Sequence, residues 1–239
     1  MEIIPTILVK DFKEVKDRIK KVEDYVNWVQ LDIMDGLFVY NETWPHSVIP
    51  GRARRDGLYS KELEKLKKLK TKAKIEAHLM VEKPEEEIND WLNLVDRIII
   101  HFESKITNRE LGIKELIKRI HKKKKQIGLA LNPETHHSVV LPFLPRSAKQ
   151  QGEKDFLDLV LFMTVQPGWG GQEFKEWVLT KIVALRKIWP SGNIEVDGGV
   201  NDENIKKIVK AGVNSVCAGS YIFRSKNIEK AIINLKKHA

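Results

Sequence analysis

The chain contains a single cysteine, Cys217. No intrachain disulfide can form, which excludes a disulfide-stapled fold and makes a reducing cytoplasm the expected location. Long apolar runs are missing as well. The longest are strand-sized: Leu157 to Val165 still carries Asp158 and Thr164, and nothing approaches the roughly 18 apolar residues of a membrane span. The N-terminus, Met1-Glu2-Ile3-Ile4-Pro5, is acidic and runs straight into a strand-like pattern, so it is not expected to be a signal peptide. Low-complexity segments are absent, and the only recurring unit is an alternation of strand and helix patterns.

Basic residues, by contrast, are abundant. Lys and Arg number 42 against 33 Asp and Glu, a formal charge of +9. Such a surface can steer anions toward a site, could serve nucleic acid, or can be a solvated lysine-rich face. The densest run, His121 to Lys125, falls at the end of an expected helix, where cations complement the macrodipole. It has none of the interleaved aromatic side chains that would stack bases. The expected partner is therefore a small molecule, with no nucleic acid and no membrane.

Hydrophobic residues make up 42% of a chain of 239, enough for one sizeable core, and residues 1–239 are expected to form a single domain. Short β-branched runs are expected as strands at Ile3–Leu8, Trp28–Met34, Lys74–Met80, Arg97–His101, Gln126–Leu131, Asp158–Val165, Asn193–Val196 and Ser215–Ala218. Between them lie amphipathic helix patterns, among them Asp11–Val22, Glu110–His121 and Asn201–Ala211, with Asp11, Ser60 and Asn201 as candidate N-caps. Strand–helix alternation implies parallel strands joined by crossover helices. Eight such units favour an α/β fold of the (β/α)8 TIM-barrel class over an open sheet, although periodicity alone does not exclude the open sheet. Two connections are long, Asn41–Tyr59 and Leu144–Asp155. The first lies on the C-terminal side of the barrel, where it could cover a site.

In such a barrel the site is built from the C-terminal ends of the strands. Glycine clusters stand there: Gly168, Gly170 and Gly171 around Trp169, then Gly198-Gly199, then Gly219-Ser220. Glycine lets successive backbone N–H groups turn toward one anion, so three clusters after neighbouring strands read as a phosphate cradle, reinforced by a helix starting after the last strand. Taken singly, each would be no more than a tight turn. Acidic residues divide by strand parity. Gln30, Asp32 and Met34 share one face, inward in a barrel, whereas Asp35 reads as a turn carboxylate bonding backbone N–H groups. An aspartate in an apolar strand is costly unless paired or bound to a metal. Asp197 stands similarly at a strand end, and so does His78, which alone would read as a core histidine but with two aspartates becomes a candidate metal ligand.

Together these segments resemble the ribulose-phosphate 3-epimerase family, over almost the whole chain. The resemblance rests on Pro5-Thr6-Ile7-Leu8, Leu31 to Gly36 with Phe38-Val39, His78-Leu79-Met80-Val81 with Pro84, Gly128 to Thr135, Met163 to Gln172, Glu195 to Val200, and Ala218-Gly219-Ser220. It implies a cytoplasmic isomerase of the pentose phosphate pathway that interconverts D-ribulose 5-phosphate and D-xylulose 5-phosphate by inverting C3. Asp32 and Asp197 would be the two acid/base groups, on opposite sides of an enediolate. One divalent metal ion (Zn, Fe, Mn, Co or Mg) would be held by Asp32, His78 and Asp197. Met34, Met80 and Met163 would line the site, although ordinary packing explains methionines at inward positions equally well. Thr6 and His78 would contact the sugar. Gly168, Trp169, Gly170, Gly171, Asp197, Gly198, Gly199, Gly219 and Ser220 would complete the substrate site, with the glycines and Ser220 around the phosphate. A homo-oligomer is expected.

The chain departs from that family in five places. Thr6 replaces a usual serine. Leu37 and Tyr40 replace a histidine and a proline. Asn41–Tyr59 is longer than its counterpart, and its Arg52, Arg54 and Arg55 either reach a phosphate or form a solvated basic loop. Above all, Gln30 stands where the family has a fourth metal ligand, a histidine. Three outcomes are open: Gln30 ligates a harder metal through its amide oxygen, it sits behind a three-ligand site, or the metal site is impaired. The alternatives to a pentulose-phosphate epimerase are an epimerase of a related ketose phosphate such as D-allulose 6-phosphate, and a non-catalytic phosphate-ligand binder.

Overall fold

β-Branched runs become strands wherever they can be buried on both faces, and the amphipathic segments between them become helices that cover the outside. The computed structural model describes residues 1–48, 57–145, 150, 153 and 155–239. In order the elements are β1 (Glu2–Ile4), β2 (Thr6–Ile7), α1 (Phe12–Val22), β3 (Trp28–Met34), α2 (Leu58–Lys67), β4 (Lys74–Met80), α3 (Pro84–Trp91), β5 (Arg97–His101), α4 (Arg109–Lys122), β6 (Gln126–Leu131), β7 (Leu159–Met163), α5 (Val178–Ile188), β8 (Ile194–Asp197), α6 (Ile205–Lys210), β9 (Ser215–Cys217), α7 (Ser220–Phe223) and α8 (Ile228–His238). Arg52, Arg54 and Arg55, and part of each long connection, lie outside the described residues.

All pairings between these strands are parallel, in the order β1-β9-β8-β7-β6-β5-β4-β3-β2. β1 and β2 are halves of the first expected strand, divided at Pro5, which has no N–H to give to a ladder. The first half pairs with β9 and the second with β3, so one stretch of chain closes the ring. The Pro5 carbonyl still accepts from the Gln30 N–H at 3.0 Å, and that of Ile4 from the Ala218 N–H at 3.0 Å. The fold is the expected α/β barrel. Two caps differ from expectation. Ser60 lies within α2, which begins beside the left-handed Gly57. Asn201 accepts from the N–H groups of Glu203 and Asn204 and so caps a turn ahead of α6. Asp11 caps α1 as expected, accepting from the Glu14 N–H at 2.9 Å. This fixes the helix whose Val15, Ile19 and Val22 pack against the barrel.

The barrel interior is divided. One side is an apolar plug of Ile99, Ala130, Leu159, Leu161, Met163 and Val165. The other is polar, because the inward positions of β3, β4, β8 and β9 carry Gln30, Asp32, Glu76, His78, Glu195, Asp197 and Cys217, all buried. Lower in this polar half, Arg97 Nη1 meets Glu76 Oε2 at 2.6 Å and Glu195 Oε2 at 3.6 Å. The Ser215 hydroxyl donates to Glu195 at 2.6 Å. Burial pushes the Glu76 carboxyl well above its ordinary value; the charge of Glu195 pushes the same way, and Arg97 opposes both. This ionic floor supports the residues above it.

Candidate active site

Register sets the level of the site. β3 and β4 pair so that Asp32 stands beside His78, and β8 places Asp197 between Met163 of β7 and Cys217 of β9. One ligand atom from each of Asp32, His78 and Asp197 falls within 4.8 Å of the others. His78 Nδ1 lies 3.3 Å from Asp32 Oδ1 and 3.5 Å from Asp197 Oδ2.

Gln30 occupies the middle of this group. Its amide nitrogen donates to Asp32 Oδ1 at 2.9 Å and to Asp197 Oδ2 at 2.7 Å, and lies 3.4 Å from His78 Nδ1. Its amide oxygen accepts from the Cys217 thiol at 3.2 Å. The opposite orientation would aim an oxygen at two carboxylates, so electrostatics fix the amide as it stands.

Burial raises the Asp32 carboxyl to about 6; the neighbouring Asp197 charge adds to this, and the hydrogen bonds from His78 and Gln30 hold it back. Burial pulls the His78 imidazole down, but its bonds to Asp197 and Asp32, with their charges, outweigh that and carry it to about 10. Behind His78 runs a relay. Its Nε2 is 2.9 Å from His101 Nε2, and His101 Nδ1 is 3.2 Å from Glu103 Oε2. Burial holds the His101 imidazole below its ordinary value. Glu103 in turn accepts from the Asn132 N–H and the Thr135 hydroxyl.

The donor set suits a divalent cation. Two carboxylates and an imidazole converge, and the second nitrogen of the imidazole is itself held by a hydrogen-bonded chain, as ligating histidines usually are. Asp32, His78 and Asp197 could therefore hold such an ion.

A cavity of about 290 Å³ opens above these residues. Asp32 and Asp197 form its floor with Met34, Met80, Met163 and Cys217. Thr6 lines one wall, buried, with its hydroxyl unpartnered. Around the mouth stand the three glycine clusters, with Trp169 exposed among them. None of the backbone N–H groups of Gly170, Gly171, Gly198, Gly199, Gly219 and Ser220 is used in a hydrogen bond within the described residues. At Gly198 the backbone has φ +114, and a Cβ would lie 2.3 Å from Val165, so only glycine lets the chain turn there. Asn41 fastens the start of the long connection to this rim, donating to the Gly168 carbonyl at 2.8 Å.

The expected site residues therefore gather in one place. Gln30 and His78 lie fully buried at its base, and the rest line the cavity. The helix expected to support the cradle, α7, is a single turn. Asp35 is the turn carboxylate it was read to be, accepting from the N–H groups of Leu37, Phe38 and Glu82. Strand parity could have found the His101–Glu103 relay, since His101 shares the inward face of β5 with Arg97. Parity also marks Cys217, inward on β9, whereas the arginines Arg18 and Arg224, which line the cavity too, carry no such signal.

A family model described as "Ribulose-phosphate 3 epimerase family" matches residues 2–223. The ribulose-phosphate 3-epimerase of Schizosaccharomyces pombe is 34% identical over 236 residues, covering 98% of this chain and 92% of its own. The protein named ribulose-phosphate 3-epimerase, cytoplasmic isoform, of Oryza sativa subsp. japonica is 33% identical over 240 residues, covering 99% and 93%. Among solved structures, 3-hexulose-6-phosphate synthase from Salmonella typhimurium superposes with a TM-score of 0.66 at 13% identity, covering 100% of this chain and 98% of that one. That likeness speaks to the barrel alone.

Proposed function

The chain belongs to the ribulose-phosphate 3-epimerase family and is an isomerase; on that premise we propose that it interconverts D-ribulose 5-phosphate and D-xylulose 5-phosphate in the pentose phosphate pathway by moving a proton at C3. The observation that carries the reading is the meeting of the Asp32 and Asp197 carboxylates at the floor of a cavity whose rim is a cradle of free backbone N–H groups.

A phosphate in the cradle would place the carbon chain down the cavity, with C2 and C3 near the floor. One carboxylate takes the C3 proton, an enediolate forms, and the other carboxylate returns a proton to the opposite face. The two groups reach the cavity from β3 and β8, different walls of the barrel, which supports one acting on each face. Thr6 binds a sugar hydroxyl, which gives its buried oxygen the partner it lacks among the described residues.

Asp32, His78 and Asp197 would hold the divalent ion, whose Lewis acidity supplies charge stabilisation for the enediolate oxygens. Of the roles open to Gln30, its geometry supports one other than ligand: it directs N–H groups, not oxygen, at both carboxylates and holds them in register.

The cytoplasm is the proposed location. A homo-oligomer is proposed too, supported by the exposure of Leu37, Tyr40 and Val48 in the segment that follows β3. Among the described residues no helix is long and apolar enough to cross a membrane.

A coupled assay tests the reading. D-ribulose 5-phosphate should turn over well ahead of D-allulose 6-phosphate. No turnover of either substrate, with Mn²⁺, Fe²⁺, Co²⁺ and Zn²⁺ supplied in turn, would sink it.

A further inference from the structure

The backbone cradle leaves two guanidinium groups beside it without a role. Arg224 directly follows α7, and the two Nη atoms of its guanidinium reach the space beside Gly171. A Cβ at that glycine would stand 3.1 Å from both Nη1 and Nη2 and 3.4 Å from Cζ, and the backbone there has φ +80. Glycine at 171 thus gives the arginine its place as well as the loop its turn. The Arg224 side chain is exposed and makes no hydrogen bond or ion pair with any described residue. Arg18 comes from α1 on the other side, with its guanidinium 5.0 Å above the Phe223 ring. Its ion pair with Glu14 is long, at 3.7 Å. Both arginines line the same cavity as Gly170, Gly199 and Ser220.

Charge in this cavity is partitioned. Among its lining residues the carboxylates are Asp32 and Asp197, at the floor, and the cations are Arg18 and Arg224, at the rim. A neutral cradle of N–H groups holds a phosphate by hydrogen bonds alone. A guanidinium adds full charge and a planar fork that matches two phosphate oxygens at once. We propose that Arg224, assisted by Arg18, is a specificity-determining residue that clamps the terminal phosphate of the substrate, selecting small phosphomonoesters in their dianionic form over unphosphorylated ketoses. The proposal rests on the phosphate-end-up reading of the site but not on the chemistry at the other end. The clamp is remote from C3 and grips ground state and transition state alike, so its loss falls on KM rather than kcat.

The test uses the full chain and two probes, inorganic phosphate in calorimetry and D-ribulose 5-phosphate in steady-state kinetics. Arg224→Gln should weaken phosphate binding and raise KM, each by about tenfold, the scale of one charge-assisted hydrogen bond. Its kcat should change far less, and its melting temperature should match that of the parent. Arg224→Lys, which keeps charge without the fork, should recover part of the loss, and Arg18→Gln should show a smaller effect of the same kind. Unchanged phosphate affinity and KM in Arg224→Gln would overturn the proposal. So would a loss confined to kcat, or a parent protein that does not bind phosphate. A parent that binds phosphate through Arg224 yet turns over no pentulose phosphate would leave the clamp standing and remove the epimerase reading.

Discussion

Replacing Gln30 with methionine keeps the length and bulk of the side chain and removes the amide that joins Asp32 to Asp197. Two hydrogen bonds to carboxylates are lost, at 2.9 and 2.7 Å. At about 1.5–3 kcal/mol for a bond to a charged group, the upper bound is about 3–6 kcal/mol. Asp32 offers a cheaper route. With its carboxyl at about 6, neutralising it at pH 7 costs about 1.4 kcal/mol. A protonated Asp32 then replaces Gln30 as donor to Asp197, leaving the proton cost plus roughly one neutral hydrogen bond, about 2–3 kcal/mol. The sign with pH follows. An acid raised on folding binds more protons in the native state, so its contribution to stability is lost as pH climbs from its ordinary value through about 6. Removing the Gln30 donor raises it further and extends that loss to higher pH. The penalty should be about 1 kcal/mol at pH 5.5 and about 3–4 kcal/mol at pH 8. For a chain of this size that is a drop in Tm of about 2–4 °C and about 6–16 °C, respectively. Thermal unfolding of chelator-dialysed parent and Gln30→Met at the two pH values measures it. A penalty equal at both, or larger at the lower pH, would refute the bridging role.

Asp32→Asn and Asp197→Asn should each lower kcat by at least about 10²-fold with the circular dichroism of the parent, and near-normal turnover in either would remove that residue from proton transfer. Thr6→Val should leave Tm unchanged or slightly higher, because the buried hydroxyl has no partner to lose, while KM rises; a marked fall in Tm would reveal a structural bond instead. Gln30→His should bind Co²⁺ or Zn²⁺ more tightly in calorimetric titration, through a fourth ligand. The same affinity as the parent would show that this position does not reach the ion.

Much of the barrel was legible because its strands are short, β-branched and evenly spaced. Trp28–Met34, Lys74–Met80, Arg97–His101 and Gln126–Leu131 have the expected bounds. The expected first strand, Ile3–Leu8, is present in two halves, and the effect of Pro5, passing the ladder from β9 to β3, depends on ring closure. Asp32, His78 and Asp197 stood out because a charge or imidazole in an apolar strand needs a partner. What that partner is depends on contacts between strands far apart in sequence. Gln30 looked like a weakened metal ligand; only its neighbours reveal a donor held between two carboxylates with Cys217 behind it. Arg224 was hidden for a similar reason. An arginine after a short helix looks like surface, and its place on Gly171 joins two loops that the sequence keeps apart.

The central claim, two carboxylates passing protons to opposite faces of C3, is tested most directly by following early turnover of D-ribulose 5-phosphate in D₂O by proton NMR. Separate bases predict that newly formed D-xylulose 5-phosphate carries deuterium at C3 while the remaining substrate keeps its protium. Product that retains the original proton would contradict the two-base account, because the proton would then have passed between faces without meeting a second, solvent-exchanged acid.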